Sequence, residues 1–249
     1  NSVRPCRART GSGCFSSGGG RSNARGSGRK SSVLKAGIGM ERLSKEEYLE
    51  NPCGYASIPY WKAKKVCVSE GMRIVHNSAY DRRKYAAYSD EPYFRLLHPL
   101  KKPCAPVLPQ GYSCGAATLR EFAEHINRCY GGACVSEEKL RDYTARPVYD
   151  ERLWLAVRND RTGELAATGI AELDREIGEG ILEWIQVSED CRGRGLGRYL
   201  VSELLWRMRG RALFATVSGQ CNNPSQPERL YRGCGFTGDD VWHVLSKKA

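Results

Sequence analysis

The stretch that most restricts the fold of this 249-residue chain runs from Ile181 to Met208. Ile181-Leu-Glu-Trp-Ile-Gln-Val187 is short, apolar and β-branched, so it reads as a strand. Ser188-Glu-Asp-Cys leads on into Arg192-Gly-Arg-Gly-Leu-Gly197, after which Leu200, Val201, Leu204 and Leu205 share one face of a helix. A strand feeding a glycine-rich turn onto a helix N-terminus builds an anion site. The first-turn amides have no intrahelical partner, and the helix dipole adds about half a positive charge. Glycines let a phosphate approach the main chain, and Arg192, Arg194 and Arg198 add cationic donors. A phosphorylated ligand is expected here, against the plainer reading of a tight turn with surface arginines. The nucleotide P-loop is excluded, because the chain contains no Gly-Lys pair. The dinucleotide pattern G-x-G-x-x-G fails as well, since Arg198 stands where its third glycine belongs.

The surrounding elements set the class. Thr118–Tyr130 carries Leu119, Phe122, Ala123 and Ile126 at helical spacing and should stop at Gly131-Gly132; Ser136 opens a second short helix. Leu153–Val157, Leu165–Ala171 and Ile181–Val187 read as an antiparallel meander, turning at Arg161-Thr-Gly163 and near 178–180. A strand at Ala212–Val217, a helix at Glu228–Cys234 and a final strand at Val241–Leu245 complete an α/β (α+β) pattern. Upstream, Ser44 with Glu47 forms a capping box, and Gly71–His76 reads as a strand. Asp90–His98 reads as a helix opened by Pro92 and limited by Pro99. Seven tyrosines crowd residues 40–105, which are expected to pack as an extension onto a domain at 106–249.

Charge is unevenly spread. Residues 1–35 hold eight of the Lys and Arg residues and no acid, which leaves 31 basic against 28 acidic residues in the remainder. Residues 1–39 are Gly/Ser/Arg-rich and cannot bury enough surface to offset ordering, so they are expected to be disordered. An RNA-binding arm is one reading. A passive leader before Met40 is favoured, because only Phe15 offers a stacking ring among the arginines. The first residues carry no apolar secretory core, and no window approaches 18 apolar residues, so neither export by that route nor a membrane span is expected. Eleven scattered cysteines without a C-x-x-C pair suggest reduced thiols in a cytoplasmic protein, with neither a disulfide framework nor a metal site.

Two segments bear a family resemblance. Arg192-Gly-Arg-Gly-Leu-Gly197 resembles the Q/R-x-x-G-x-G/A motif of the GCN5-related N-acetyltransferases (GNAT), and Glu228-Arg-Leu-Tyr231-Arg-Gly-Cys-Gly235-Phe236 resembles their L-Y-x-x-x-G-F helix end. The order of elements between the two matches too, and the resemblance covers roughly 106–249. It implies a GNAT-like mixed, largely antiparallel sheet flanked by helices. It further implies that Arg192, Gly193, Arg194, Gly195, Gly197 and Arg198 hold the pyrophosphate of acetyl-CoA. Main-chain amides of Ile185 and Val187, exposed where that strand splays from its neighbour, would take the pantetheine arm and the thioester carbonyl. Tyr231 would protonate the leaving thiolate, unless it is a core aromatic beside Phe236. Many members carry an Asn seven residues before that tyrosine; Pro224 stands there, and Asn223 is the nearest substitute.

Glu183 is the candidate base. Strict alternation places it on one strand face with Ile185 and Val187, and apolar neighbours would raise its pKa, although a solvated strand residue would look the same in sequence. His76 and His98 could line an acceptor pocket walled by the tyrosines, whereas His243 beside Trp242 reads as packing. No cysteine has an evident base partner, which favours direct attack over an acetyl-enzyme. The expected function is acetyl-CoA-dependent N-acetyl transfer to an amine acceptor in a ternary complex. A non-catalytic acyl-CoA sensor and a nucleic-acid-associated protein acting through its tail are the alternatives.

Overall fold

A computed structural model describes residues 43–64, 68–130 and 134–248. The expectations for the tail at 1–39 and for the Gly131-Gly132 stop lie outside these residues. Six helices and eight strands are formed among them: α1 (Lys45–Glu50), α2 (Tyr60–Ala63), β1 (Met72–His76), β2 (Tyr88–His98), β3 (Tyr112–Gly115), α3 (Leu119–Cys129), α4 (Glu137–Thr144), β4 (Trp154–Asn159), β5 (Leu165–Asp174), β6 (Glu179–Val187), α5 (Leu196–Met208), β7 (Phe214–Gln220), α6 (Pro227–Gly233) and β8 (Thr237–Lys247). The strands make one sheet in the order β1-β8-β2-β7-β6-β5-β4-β3. Every neighbouring pair is antiparallel except β6 with β7. This is the expected mixed, largely antiparallel sheet flanked by helices. No described helix is long and apolar enough to cross a membrane, and the described cysteines are all free.

Alternation along the strands divides the core into two layers. Leu155 and Val157 of β4, Ala167, Ala171 and Leu173 of β5, and Leu182 of β6 face α5, which buries Leu200, Val201, Leu204 and Leu205 against them. Gly169 makes that approach possible: a Cβ there would lie 3.4 Å from Leu204 and 3.5 Å from Leu200. On the opposite face Ala156 and Ile170 pack against Phe122, Ala123 and Ile126 of α3 and Leu140 of α4. Each of the Leu, Ile, Val and Phe side chains among these contributes roughly 1.5–3 kcal/mol when fully buried. The Ser44–Glu47 capping box is formed as read and starts α1; a second, Thr118 with Glu121, starts α3.

The helix expected at Asp90–His98 is instead part of β2. Phe94 and Leu96 face the α5 layer while Arg95 and Leu97 face the other, a period of two that its aromatic and branched residues favour. Pro92 is tolerated because of where it sits. Its carbonyl accepts from the Cys221 N–H at 2.9 Å, so its ring nitrogen turns to the same side, one residue beyond Tyr93–Gln220 where the β2–β7 ladder ends. β2 lies between β7 and β8, so residues 72–98 contribute two strands to the sheet itself.

The helices α1 and α2 are held over the sheet by a buried polar knot. The Glu179 carboxylate accepts from the Tyr48 hydroxyl (2.7 Å), the Thr216 hydroxyl (2.6 Å) and the Tyr60 N–H (3.3 Å), and pairs with Arg95 at 3.4 Å. Arg95 also donates to Tyr48, Ser218 and the Pro52 carbonyl.

Candidate active site

The parallel pairing of β6 with β7 runs only from Glu179–Phe214 to Leu182–Val217, after which the strands part. Ser188 N–H still donates to Ala166 on β5. Alternation therefore turns the amides of Ile185 and Val187 away from β5, toward the opening. The Tyr130 hydroxyl reaches the same side and donates to the Ile185 carbonyl at 3.2 Å, its ring edge-on to Trp184. Tyr130 is 40% exposed overall, but burial of its hydroxyl end pushes its pKa up to about 12, so it remains a donor at neutral pH. Sequence reading placed it only at the end of a helix.

Below the opening, a 3₁₀ turn at Glu189–Cys191 and the exposed residues 192–195 lead into α5. Gly193 (φ +75°) and Gly195 (φ +83°) adopt the left-handed backbone that glycine accepts without strain. Gly195 is the N-cap of α5 and no side chain caps its amides. A Cβ on Gly193 would meet nothing within 4 Å, so the turn stands open rather than plugged. The arginines are disposed differently from one another. Arg194 donates to the Asp190 carbonyl (3.0 Å) and the Tyr112 hydroxyl (3.3 Å), Arg198 donates to the Gly233 carbonyl (2.8 Å), and Arg192 is exposed. Gly197 serves close packing, because a Cβ there would come within 3.1 Å of Leu230 on α6.

Tyr231 lies in the core, with ring centroids 6.2 Å from Phe94 and 5.8 Å from Phe236. Burial, with a smaller contribution from Tyr130, raises its pKa and keeps the phenol protonated. Asn223 sits on the β7–α6 loop, where its Oδ1 accepts from the Ser225 N–H (3.0 Å) and hydroxyl (2.7 Å).

Glu183 departs from the expected placement. The β5–β6 register steps from Ala171–Leu182 to Ile170–Trp184, so Glu183 is the extra residue of a bulge. The bulge breaks the alternation: Ile185 and Val187 pack toward the α5 layer, whereas Glu183 turns to the other face and pairs with Lys62 of α2. Its surroundings are a cation and a second carboxylate rather than apolar groups. That second carboxylate is Glu172 of β5, 2% exposed, which accepts from Arg146 (2.7 Å) and the Trp61 indole N–H (3.1 Å). Burial first, and the charge of Glu183 second, raise the Glu172 pKa to about 7. A lone acid within the apolar run Ala171-Glu-Leu173 was the sequence signal that could have exposed it.

The histidines and tyrosines singled out upstream do not converge here. His76 pairs with Asp240 (3.1 Å) on β1 and β8, and His243 binds Asp90 (2.9 Å) while stacking on Tyr80 (3.7 Å). His98 accepts from the Leu100 N–H (3.0 Å) and lies opposite Ala215, where β6 and β7 are still paired. Tyr80, Tyr85 and Tyr88 pack around Val75 of β1 and Leu245 of β8, at the edge of the sheet away from the β6–β7 opening. The aromatic groups near Glu172 and Trp184 are instead Trp61, Tyr143 and Tyr130.

His125 of α3 is wholly buried and was not singled out in the sequence. Ser188 donates to the Leu165 carbonyl (3.1 Å), so its oxygen accepts from His125 Nε2 (2.9 Å); Thr168 accepts from Gln186 and donates to His125 Nδ1 (2.8 Å). The chain fixes a neutral tautomer and ties α3 to the first residue of the turn. Burial, then Arg128, lowers the His125 pKa to about 4. A depressed folded-state value contributes stability that is fully present above the unfolded-state pKa and is lost as pH falls. Between pH 6.5 and about 4 the native protein should lose on the order of 3 kcal/mol from this group. His125→Gln, which cannot take up that proton, should lose correspondingly less. Urea midpoints at pH 7 and pH 5 for both proteins measure the difference, and equal losses would remove His125 from this account.

Residues 149–238 match the family model described as the acetyltransferase (GNAT) domain, a span holding the splay, the glycine turn and Tyr231. Solved structures show the same fold. A GCN5-related N-acetyltransferase from Sphaerobacter thermophilus has a TM-score of 0.57 at 21% identity, covering 71% of this chain and 60% of that one. An acetyltransferase of the GNAT family from Colwellia psychrerythraea has a TM-score of 0.52 at 16% identity, covering 70% and 64%. A Drosophila protein has a TM-score of 0.52 at 19% identity, covering 67% and 54%. This chain therefore spans less than two thirds of each of these three. No curated protein matches the sequence. The family match over residues 149–238, the splayed sheet and the open glycine turn agree: that stretch is similar to the acetyltransferase (GNAT) domain, and the chain has the GNAT fold.

Proposed function

We propose that this protein transfers an acetyl group from acetyl-CoA to an amine, of a small molecule or a peptide, by direct attack in a ternary complex. The observation that carries this reading is the open, uncapped turn at Gly193–Gly195 beside the parted β6 and β7. The turn fits a diphosphate: its first-turn amides point outward, its glycines admit close approach, and Arg192 stands exposed beside it. Arg194 and Arg198 can add donors from their present partners, while Gly197 lets α5 and α6 close together. Asn223 is the loosest of the donor-binding assignments, since its Oδ1 is already engaged.

The chemistry divides among the chain's own groups. Amides of Ile185 and Val187 pair with the pantetheine arm and polarise the thioester carbonyl, an effect typically worth a few kcal/mol. Glu183 takes the proton from the acceptor ammonium, with the Glu172 carboxyl, titrating near pH 7, close enough to share it. Tyr231, kept protonated by burial, supplies the proton to the departing thiolate. The acceptor approaches from the face of α2 and α4, where Trp61 and Tyr143 flank the two carboxylates and favour a cationic amine.

Tyr231→Phe is expected to lower kcat by about a hundredfold while the acetyl-CoA Kd changes by less than about twofold. Coenzyme A release with an amine panel and calorimetric titration read the two quantities. Unchanged kcat would remove Tyr231 from the acid role. Titratable binding without thiol release on any amine would favour the acyl-CoA sensor.

A further inference from the structure

Lys62 occupies the place an acceptor amine must reach. Its ammonium contacts Glu183, stands 4.0 Å from Glu172 and 5.5 Å from the Trp61 ring centroid, and its side chain is 24% exposed. The helix that carries it is pinned on both sides: the Tyr60 N–H donates to Glu179 and the Trp61 indole donates to Glu172. We propose that Lys62 is an internal acceptor, acetylated by its own chain at the Glu183 carboxylate.

This rests on the reading of Glu183 as base and of the neighbouring cleft as the acetyl-CoA site. Glu183 takes one proton from Lys62 Nζ. The freed lone pair bonds to the acyl carbon of acetyl-CoA, the C–S bond breaks with its electron pair on sulfur, and Tyr231 protonates the thiolate. The second Nζ proton, lost as the amide forms, restores the Tyr231 phenol through solvent, and Glu183 releases its proton to water. The products are Nζ-acetyl-Lys62 and coenzyme A. Burial opposes the charge on Lys62, but Glu183 and Glu172 outweigh it and hold its pKa above the ordinary lysine value. Spontaneous acylation at this amine is therefore suppressed, and modification there requires the carboxylate to act as base. Once acetylated, Lys62 no longer compensates Glu183, and Arg146 remains as the cation paired with Glu172. The cleft then gains one net negative charge, which suits an external ammonium.

The full chain is incubated with acetyl-CoA and no added amine, at two protein concentrations, and followed by intact mass and peptide mapping. One acetyl group per chain should appear at Lys62, at a rate independent of protein concentration. It should be about a hundredfold faster than at the exposed Lys84, Lys101 and Lys102. K62R should bind acetyl-CoA like the parent protein yet lose this single mass gain, and E183Q should slow it by about a hundredfold. Calorimetric binding of acetyl-CoA with Lys62 unmodified, or modified no faster than the exposed lysines, overturns the proposal alone. An absence of acetyl-CoA binding overturns it together with the reading on which it rests.

Discussion

Gly195→Glu is expected to weaken coenzyme A binding by at least about a hundredfold, equivalent to roughly 2.7 kcal/mol, while the sheet stays folded. Two effects act together. Gly195 holds φ +83°, where an L-residue costs about 1–2 kcal/mol. The new carboxylate also lies at the uncapped N-terminus of α5, where it can take the free amides itself and repel an incoming diphosphate. Helix-terminus charge effects of this kind reach up to ~2 kcal/mol in partly buried geometry. The nearest atom to a Cβ at this position is Pro109 Cγ at 3.6 Å, so steric clash is not the cause. Titration calorimetry beside a thermal melt separates binding from folding, and normal affinity in a folded variant would place the diphosphate elsewhere.

Glu179→Ala should destabilise the protein by about 3–5 kcal/mol, a large share of the 5–15 kcal/mol typical of a domain. Both partners are essentially without solvent contact, Arg95 at 1% and Glu179 at 0% exposure. Removing the carboxylate leaves a buried guanidinium uncompensated and strips partners from Tyr48, Thr216 and the Tyr60 amide. The same loss unpins α2, so Trp61 and Lys62 should lose their register over Glu172 and Glu183. Urea denaturation measures the first consequence, and an unchanged midpoint would show that the knot is not what holds these helices.

What the sequence disclosed was local. The capping residues Ser44, Thr118 and Ser136, the glycine turn and the tyrosine helix each write their signal within a few residues, and each lies where the pattern put it. Pro92 misled because proline opens helices and also sits at the ends of ladders, and only the β7 partner decides between them. Glu183 misled because one extra residue in a bulge inverts every later side chain, and no residue type marks it. The rest was non-local. Lys62 meets Glu183 across 121 positions, Arg146 meets Glu172 across 26, and His125 meets Ser188 across 63. Such contacts arise from stacking α2, α3 and α4 on one face of the sheet, which periodicity alone does not register.

The proposed acetyl transfer depends on main-chain nitrogens at residues 192–197 holding a diphosphate. Titrating the full chain in parallel with coenzyme A and with pantetheine, which has the thiol arm but no diphosphate, tests this most directly. Coenzyme A should bind at least about a hundredfold more tightly, because charge-assisted hydrogen bonds to the phosphates are available to it alone. Equal affinities, or no heat with coenzyme A, would contradict the account.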